Sequence, residues 1–148
     1  MNDFVTRPNS TGAFRLLEHP SDLGIEATGP TLCEAFEQAA LGLISVIADP
    51  QTIDAKDERR ITLEAQDYEN LLVRWLSEIL YLYDGEDFLL KVPKIESLSP
   101  IKLSARLLGE KYEASKHIVK LDVKAVTYHQ LAIKKGNGGT TVQVFLDI

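Results

Sequence analysis

Along the chain, apolar positions recur first at strand spacing, then at helix spacing, then at strand spacing again. Phe14–Glu18 and Leu23–Thr28 suit strands, the second alternating Leu23, Ile25 and Ala27 against Gly24, Glu26 and Thr28. His19-Pro20-Ser21-Asp22 forms the turn between them. Gly29-Pro30 breaks the second strand, and Thr31-Leu32-Cys33-Glu34 has the spacing of a capping box, so a helix starts there. Leu32, Phe36, Ala39, Leu43 and Val46 give that helix one apolar stripe, with Glu34, Glu37 and Gln38 in other directions, until Asp49-Pro50 ends it. After an acidic loop around Asp54, Asp57 and Glu58, Ile61, Leu63 and Ala65 alternate with Thr62 and Glu64 as a third strand. Asp67 is placed to cap a second helix whose stripe holds Leu71, Leu72, Trp75, Ile79 and Leu82, and Asp84-Gly85 stops it. The remainder reads as strands over Phe88–Val92, Ile101–Leu107, Leu121–Val126, Leu131–Lys134 and Thr140–Ile148. Helices confined to the first half and strands filling the second predict an α+β fold: a single domain with two helices packed on a mostly antiparallel or mixed β-sheet. Met1–Gly12, with Pro8, Asn9, Ser10 and Gly12 and no apolar period, reads as a loose leader. The expected division is therefore a leader over 1–13 and a domain over 14–148.

Composition narrows the class. A chain of 148 residues with 45% hydrophobic and 26% charged content is an ordinary globular sequence with room for one substantial core. The formal charge of −6 argues against generic phosphate-backbone binding, which depends on clustered lysine and arginine, so any RNA role is expected to be indirect. Cys33, the single cysteine, has no partner for an internal disulfide. With neither a membrane-spanning apolar stretch nor a secretory signal, a cytoplasmic location and no membrane contact are expected.

Chemistry is sparse. HExxH, GxSxG, CxxC and GxGxxG are absent from the sequence, and Lys134-Lys135-Gly136-Asn137-Gly138-Gly139 lacks the Walker pattern, reading as a hairpin loop. In the final strand Val142, Val144 and Leu146 point one way while Thr141, Gln143 and Asp147 point the other, so the Asp147 carboxylate leaves the apolar face. Ile148 follows it and offers a backbone carbonyl or carboxylate oxygen to any hard cation that Asp147 holds. Asp22, at a loop-to-strand junction, is the second carboxylate. Each has a plainer reading, an Asx turn for Asp22 and a solvated terminal residue for Asp147. His19 suits a ligand, a base or a structural hydrogen bond, His129 sits in a turn between strands, His117 reads as exposed, and Lys124 as an outward residue paired with a carboxylate. The aromatic at Trp75 belongs to the core stripe.

Several of these segments together resemble the archease family: Glu18-His19-Pro20-Ser21-Asp22-Leu23-Gly24-Ile25-Glu26-Ala27, the helix around Glu34-Ala35-Phe36, Leu71–Leu82, Lys124-Ala125-Val126-Thr127-Tyr128-His129, and Val142–Ile148. The likeness runs in order from Phe14 to Ile148. It implies an accessory factor for a GTP-dependent RtcB-type RNA ligase, promoting guanylylation and multiple turnover of that ligase in tRNA splicing and RNA repair, without catalysis of its own. It also implies a divalent cation, calcium or magnesium, on Asp22, Asp147 and the carbonyl of Ile148. Lys124, Tyr128 and His129 become secondary candidates for contacting the ligase, with RNA met only through it. Where the family reads His-Thr-Ala-Asp, this chain has Pro20 and Ser21, and Pro20 fixes φ and removes an amide donor. A metal-dependent hydrolase or nuclease and a chaperone-like, homo-oligomeric interaction module are the competing classes.

Overall fold

The structure, a computed structural model, describes residues 5–6 and 12–148. Its elements run β1 (Val5–Thr6), β2 (Ala13–Glu18), β3 (Asp22–Gly29), α1 (Leu32–Ile47), a 3-10 turn (Pro50–Thr52), β4 (Asp57–Glu64), α2 (Tyr68–Glu86), β5 (Phe88–Ser99), β6 (Lys102–Lys111), β7 (Ala125–Val126), β8 (Ala132–Gly136) and β9 (Gly139–Asp147). Most of the expected leader lies outside the described residues; Val5 and Thr6 pair with Phe14 and Ala13.

Helix signals act as the sequence implies. Thr31 caps α1, its hydroxyl accepting from the Glu34 amide at 3.3 Å, and Asp67 caps α2 by accepting from the Asn70 amide at 2.8 Å. Gly85 does not stop α2: the helix continues to Glu86, and Asp87 closes it in the left-handed region (φ 56°), with its amide donating to the Leu82 and Tyr83 carbonyls. Trp75 is fully buried, and its indole N–H donates to the Phe36 carbonyl at 2.8 Å, tying the two helices together.

The strands sort into two antiparallel sheets rather than one. The larger runs β1-β2-β3-β9-β7, with β8 also paired to β9, and the smaller runs β4-β6-β5. α1 packs on β2, β3 and β9 and on β5, so it is covered on two sides. This explains why Gln38, outside the apolar stripe, is buried as well. It also explains Glu37, whose carboxylate accepts from the Ile95 amide at 2.9 Å and whose pKa burial pushes up. α2 packs on the smaller sheet and on β7. Among the described residues no helix is long and apolar enough to cross a membrane.

Two expectations are corrected. Of the strand anticipated over Leu121–Val126, only Ala125–Val126 pairs, and the chain just ahead of Leu121, at Ile118 and Lys120, is hydrogen-bonded to the end of α1. His117 is buried: Nδ1 accepts from the Glu113 amide at 2.9 Å, so Nε2 carries the proton toward Glu110 Oε2 at 2.8 Å. Glu110 is itself buried and also accepts from Lys116 and the Asp54 amide.

Candidate functional site

β3 and β9 are antiparallel neighbours in unbroken register, with Asp22 opposite Asp147, Gly24 opposite Phe145 and Glu26 opposite Gln143. Residues directly opposite share a face, with Cβ atoms about 4.5–5.5 Å apart, so the two carboxylates emerge side by side at one end of the larger sheet. The alternation responsible is visible on both strands: Leu23, Ile25 and Ala27 are buried on the helix side, as are Val142, Val144 and Leu146. Ile148 follows Asp147 and is exposed. On the other flank of β9, Ala125 is opposite Asp147, and the Lys124 amide donates to the Asp147 carbonyl at 2.8 Å. The backbone of the latest strand is thus fixed on both sides of the acidic pair.

Phe145 organises the rest of this face, and the periodicity reading passes over it. It belongs to the outward row with Gln143 and Asp147, yet it is only 3% exposed. Two histidines cover it, His19 with its ring centroid 5.4 Å away and edge-on, and His129 at 5.7 Å. The Phe145 carbonyl accepts from both the Thr127 amide (3.0 Å) and the Thr127 hydroxyl (2.9 Å), and that hydroxyl accepts from the His129 amide. Phe145 therefore brings the first turn and the 127–129 turn onto one surface beside Asp22 and Asp147. The signal available in the sequence is an aromatic at an outward position of β9 matched by a glycine on β3.

The other sequence candidates fall as follows. Tyr128 is exposed and donates to the Asn70 side chain on α2 at 2.7 Å. Lys124 is exposed, and among the described residues no carboxylate lies in ion-pairing range of its ammonium, contrary to the paired role read from the sequence. Lys134–Gly139 is a tight hairpin closing at Gly139, whose φ of 128° suits glycine alone.

The donor chemistry suits a hard cation. Oδ1 of Asp22 is buried and accepts no hydrogen bond. Its nearest partner, His19 Nδ1, lies 3.3 Å away, an ion pair only with the ring protonated. A buried carboxylate oxygen left without a donor is costly unless something positive meets it. Asp22, Asp147 and the Ile148 carbonyl supply oxygens only, the ligand type that calcium and magnesium take. Among the described residues no group of three or more His, Cys, Asp and Glu side chains forms a cation cage, so such a site would be open, completed by water or by a partner's oxygens.

Two helices on two antiparallel sheets, with a carboxylate pair at the end of the larger one, define a small single-domain α+β protein with an acidic edge. The sequence matches the Archease protein family (MTH1598/TM1083) over residues 14–148. It is 37% identical to the protein archease of Methanosarcina mazei, over 95% of this chain and 99% of that one, and 40% identical to the protein archease of Pyrococcus abyssi, over 80% and 85%. Its fold superposes on the solution structure of Methanobacterium thermoautotrophicum protein 1598 with a TM-score of 0.76 and 31% identity, covering 91% of this chain and 98% of that one. The crystal structure of an archease, possible chaperone, from Thermotoga maritima shares the fold at a TM-score of 0.56 and 17% identity, covering 89% and 94%. The chain belongs to the archease family.

Proposed function

We propose that this protein is a metal-binding accessory factor that activates a GTP-dependent RtcB-type RNA ligase, promoting ligase guanylylation and multiple turnover in tRNA splicing and RNA repair. The observation that carries the reading is the register of β3 and β9, which opposes Asp22 and Asp147 beside the Ile148 carbonyl. These three would hold the cation, calcium or magnesium. A divalent cation held there would supply positive charge against phosphate during nucleotidyl transfer. The chain's own contribution is positional. Strand pairing on both sides of β9 holds the carboxylates in place, and Phe145 anchors the His19 and His129 turns beside them. The net charge of −6 favours contact with the ligase over contact with RNA.

The test is multiple-turnover ligation by a purified RtcB-type ligase with and without this protein. Asp22→Ala and Asp147→Ala are expected to reduce stimulation by at least about tenfold, roughly the loss typical of disturbed metal sites, and to weaken divalent-cation binding measured by calorimetry on the isolated protein. Full stimulation by folded variants would refute the assignment. RNA cleavage by the purified protein with metal alone would favour the hydrolase class instead.

A further inference from the structure

Next to the carboxylates, between β2, β3 and the C-terminal end of α1, lies a cleft of about 430 Å³. Its walls are apolar at Leu16, Leu23 and Leu121, and they carry Glu18, His19 and Asp22 from the first turn, with Lys120 also in the lining. One wall is formed by Lys120 and Leu121, and the exposed segment 118–121 continues from it. Ile118 is 57% exposed, Val119 42% and Leu121 44%. Seven large hydrophobics are exposed among the described residues; three fall in these four consecutive positions, and a fourth, Ile148, lines the same cleft. Scattered single exposures are ordinary, whereas a contiguous apolar patch marks a contact surface.

The strip is presented rigidly. The Asp49 amide donates to the Ile118 carbonyl at 2.9 Å, and the Lys120 amide to the Ile47 carbonyl at 2.8 Å, with an isolated β-bridge between Ala48 and Val119. The second bond satisfies the Ile47 carbonyl at the end of α1, and both fix the backbone of the strip. Lys120 turns back onto the helix end, its ammonium donating to the Ser45 carbonyl at 3.3 Å. Its charge therefore lies against the negative end of the α1 dipole, not over the apolar strip.

We propose that this strip and cleft are the docking surface for a protein partner, a segment that inserts an apolar side chain into the cleft and sets basic residues against Glu18. The inference rests on the activator reading and adds where the ligase is gripped. Docking beside Asp22 delivers the carboxylate pair to the partner without using either carboxylate as the anchor. The acidic rim and the overall charge of −6 select a basic protein segment over RNA or an anionic membrane.

The experiment compares Leu121→Ser and Ile118→Ser with wild type, using Ile101→Ser as control. Ile101 is an equally exposed aliphatic (60%) in the β5–β6 turn. Direct binding to a purified RtcB-type ligase is followed by analytical ultracentrifugation, and ligation is titrated with each variant. Leu121→Ser and Ile118→Ser are expected to raise the concentration for half-maximal stimulation about tenfold and to weaken binding equally. The rate at saturation and cation binding should not change, and the control should match wild type. Added salt should weaken wild-type binding. Unchanged binding by both variants overturns the proposal, as does absence of binding by wild type. So does a wild-type dimer that the variants abolish, which would make the strip a self-association surface. Wild-type binding that the variants weaken, without stimulation, keeps the docking surface and sinks the activator reading.

Discussion

A methyl group added at Gly24 would sit 2.8 Å from the Phe145 ring, closer than carbon atoms tolerate, and a tight 3.1 Å from the Leu17 side chain. The glycine is thus the floor on which Phe145 rests, and Phe145 carries the two histidines beside the acidic pair. Gly24→Val is expected to destabilise the protein by roughly 1–3 kcal/mol through overpacking, read from urea denaturation. It should also displace Phe145, so the His19 and His129 resonances shift in NMR while those of Trp75 stay in place. The second telling residue is Glu110. Burial alone would raise its pKa, but hydrogen bonds from Lys116, His117 and the Asp54 amide hold it at about 2, against an ordinary 4.5. The folded-state pKa is depressed, so the stability it contributes is complete above 4.5 and is lost as pH falls toward 2. Thermal midpoints measured across that interval should fall for wild type. Glu110→Gln should flatten the fall and, by leaving donors unmatched, cost about 1–3 kcal/mol at neutral pH.

At the scale of elements, caps and stripes were legible because each depends on residues within one turn of one another. Thr31, Asp67 and the stripe through Trp75 act as the local chemistry demands. Asp67→Ala is expected to cost about 0.5–2 kcal/mol, the usual loss for a side-chain cap, visible as a lower urea midpoint with an unchanged slope. The outward placement of Asp147 was legible too, from period-two alternation, whereas Asp22 was read from its place at a loop-to-strand junction. What failed at this scale lay outside what apolar spacing records. Leu121 and Val123 alternate like strand residues, but the ladder begins only at Ala125, after the backbone of Ile118 and Lys120 has bonded to the end of α1, a neighbour that sequence spacing does not announce. His117 is held by near neighbours, Glu110 at the end of β6 and the Glu113 amide, through a turn with no apolar period. Asp87 displaced Gly85 as the helix stop because a short polar side chain tolerates the left-handed region.

For the whole molecule, the α+β class followed from the order of helices and strands, whereas the division into two sheets did not. Which strands pair is decided by contacts far apart in sequence, and α1 sandwiched between the sheets shows both faces buried where a single-sheet reading leaves one wet. The candidate site was half legible for the same reason: periodicity gave the faces of β3 and β9, while their adjacency and the strip at 118–121 arise only in the assembled fold. That adjacency has a cost during synthesis. β3 gains its second neighbour from β9, which is synthesised long after it, so until residues 139–147 arrive its inner edge is an open row of amides and carbonyls beside an apolar surface. A nascent chain halted before that point is therefore poised to borrow a strand from a neighbour, and the paired acidic edge can exist only in molecules that escaped that fate.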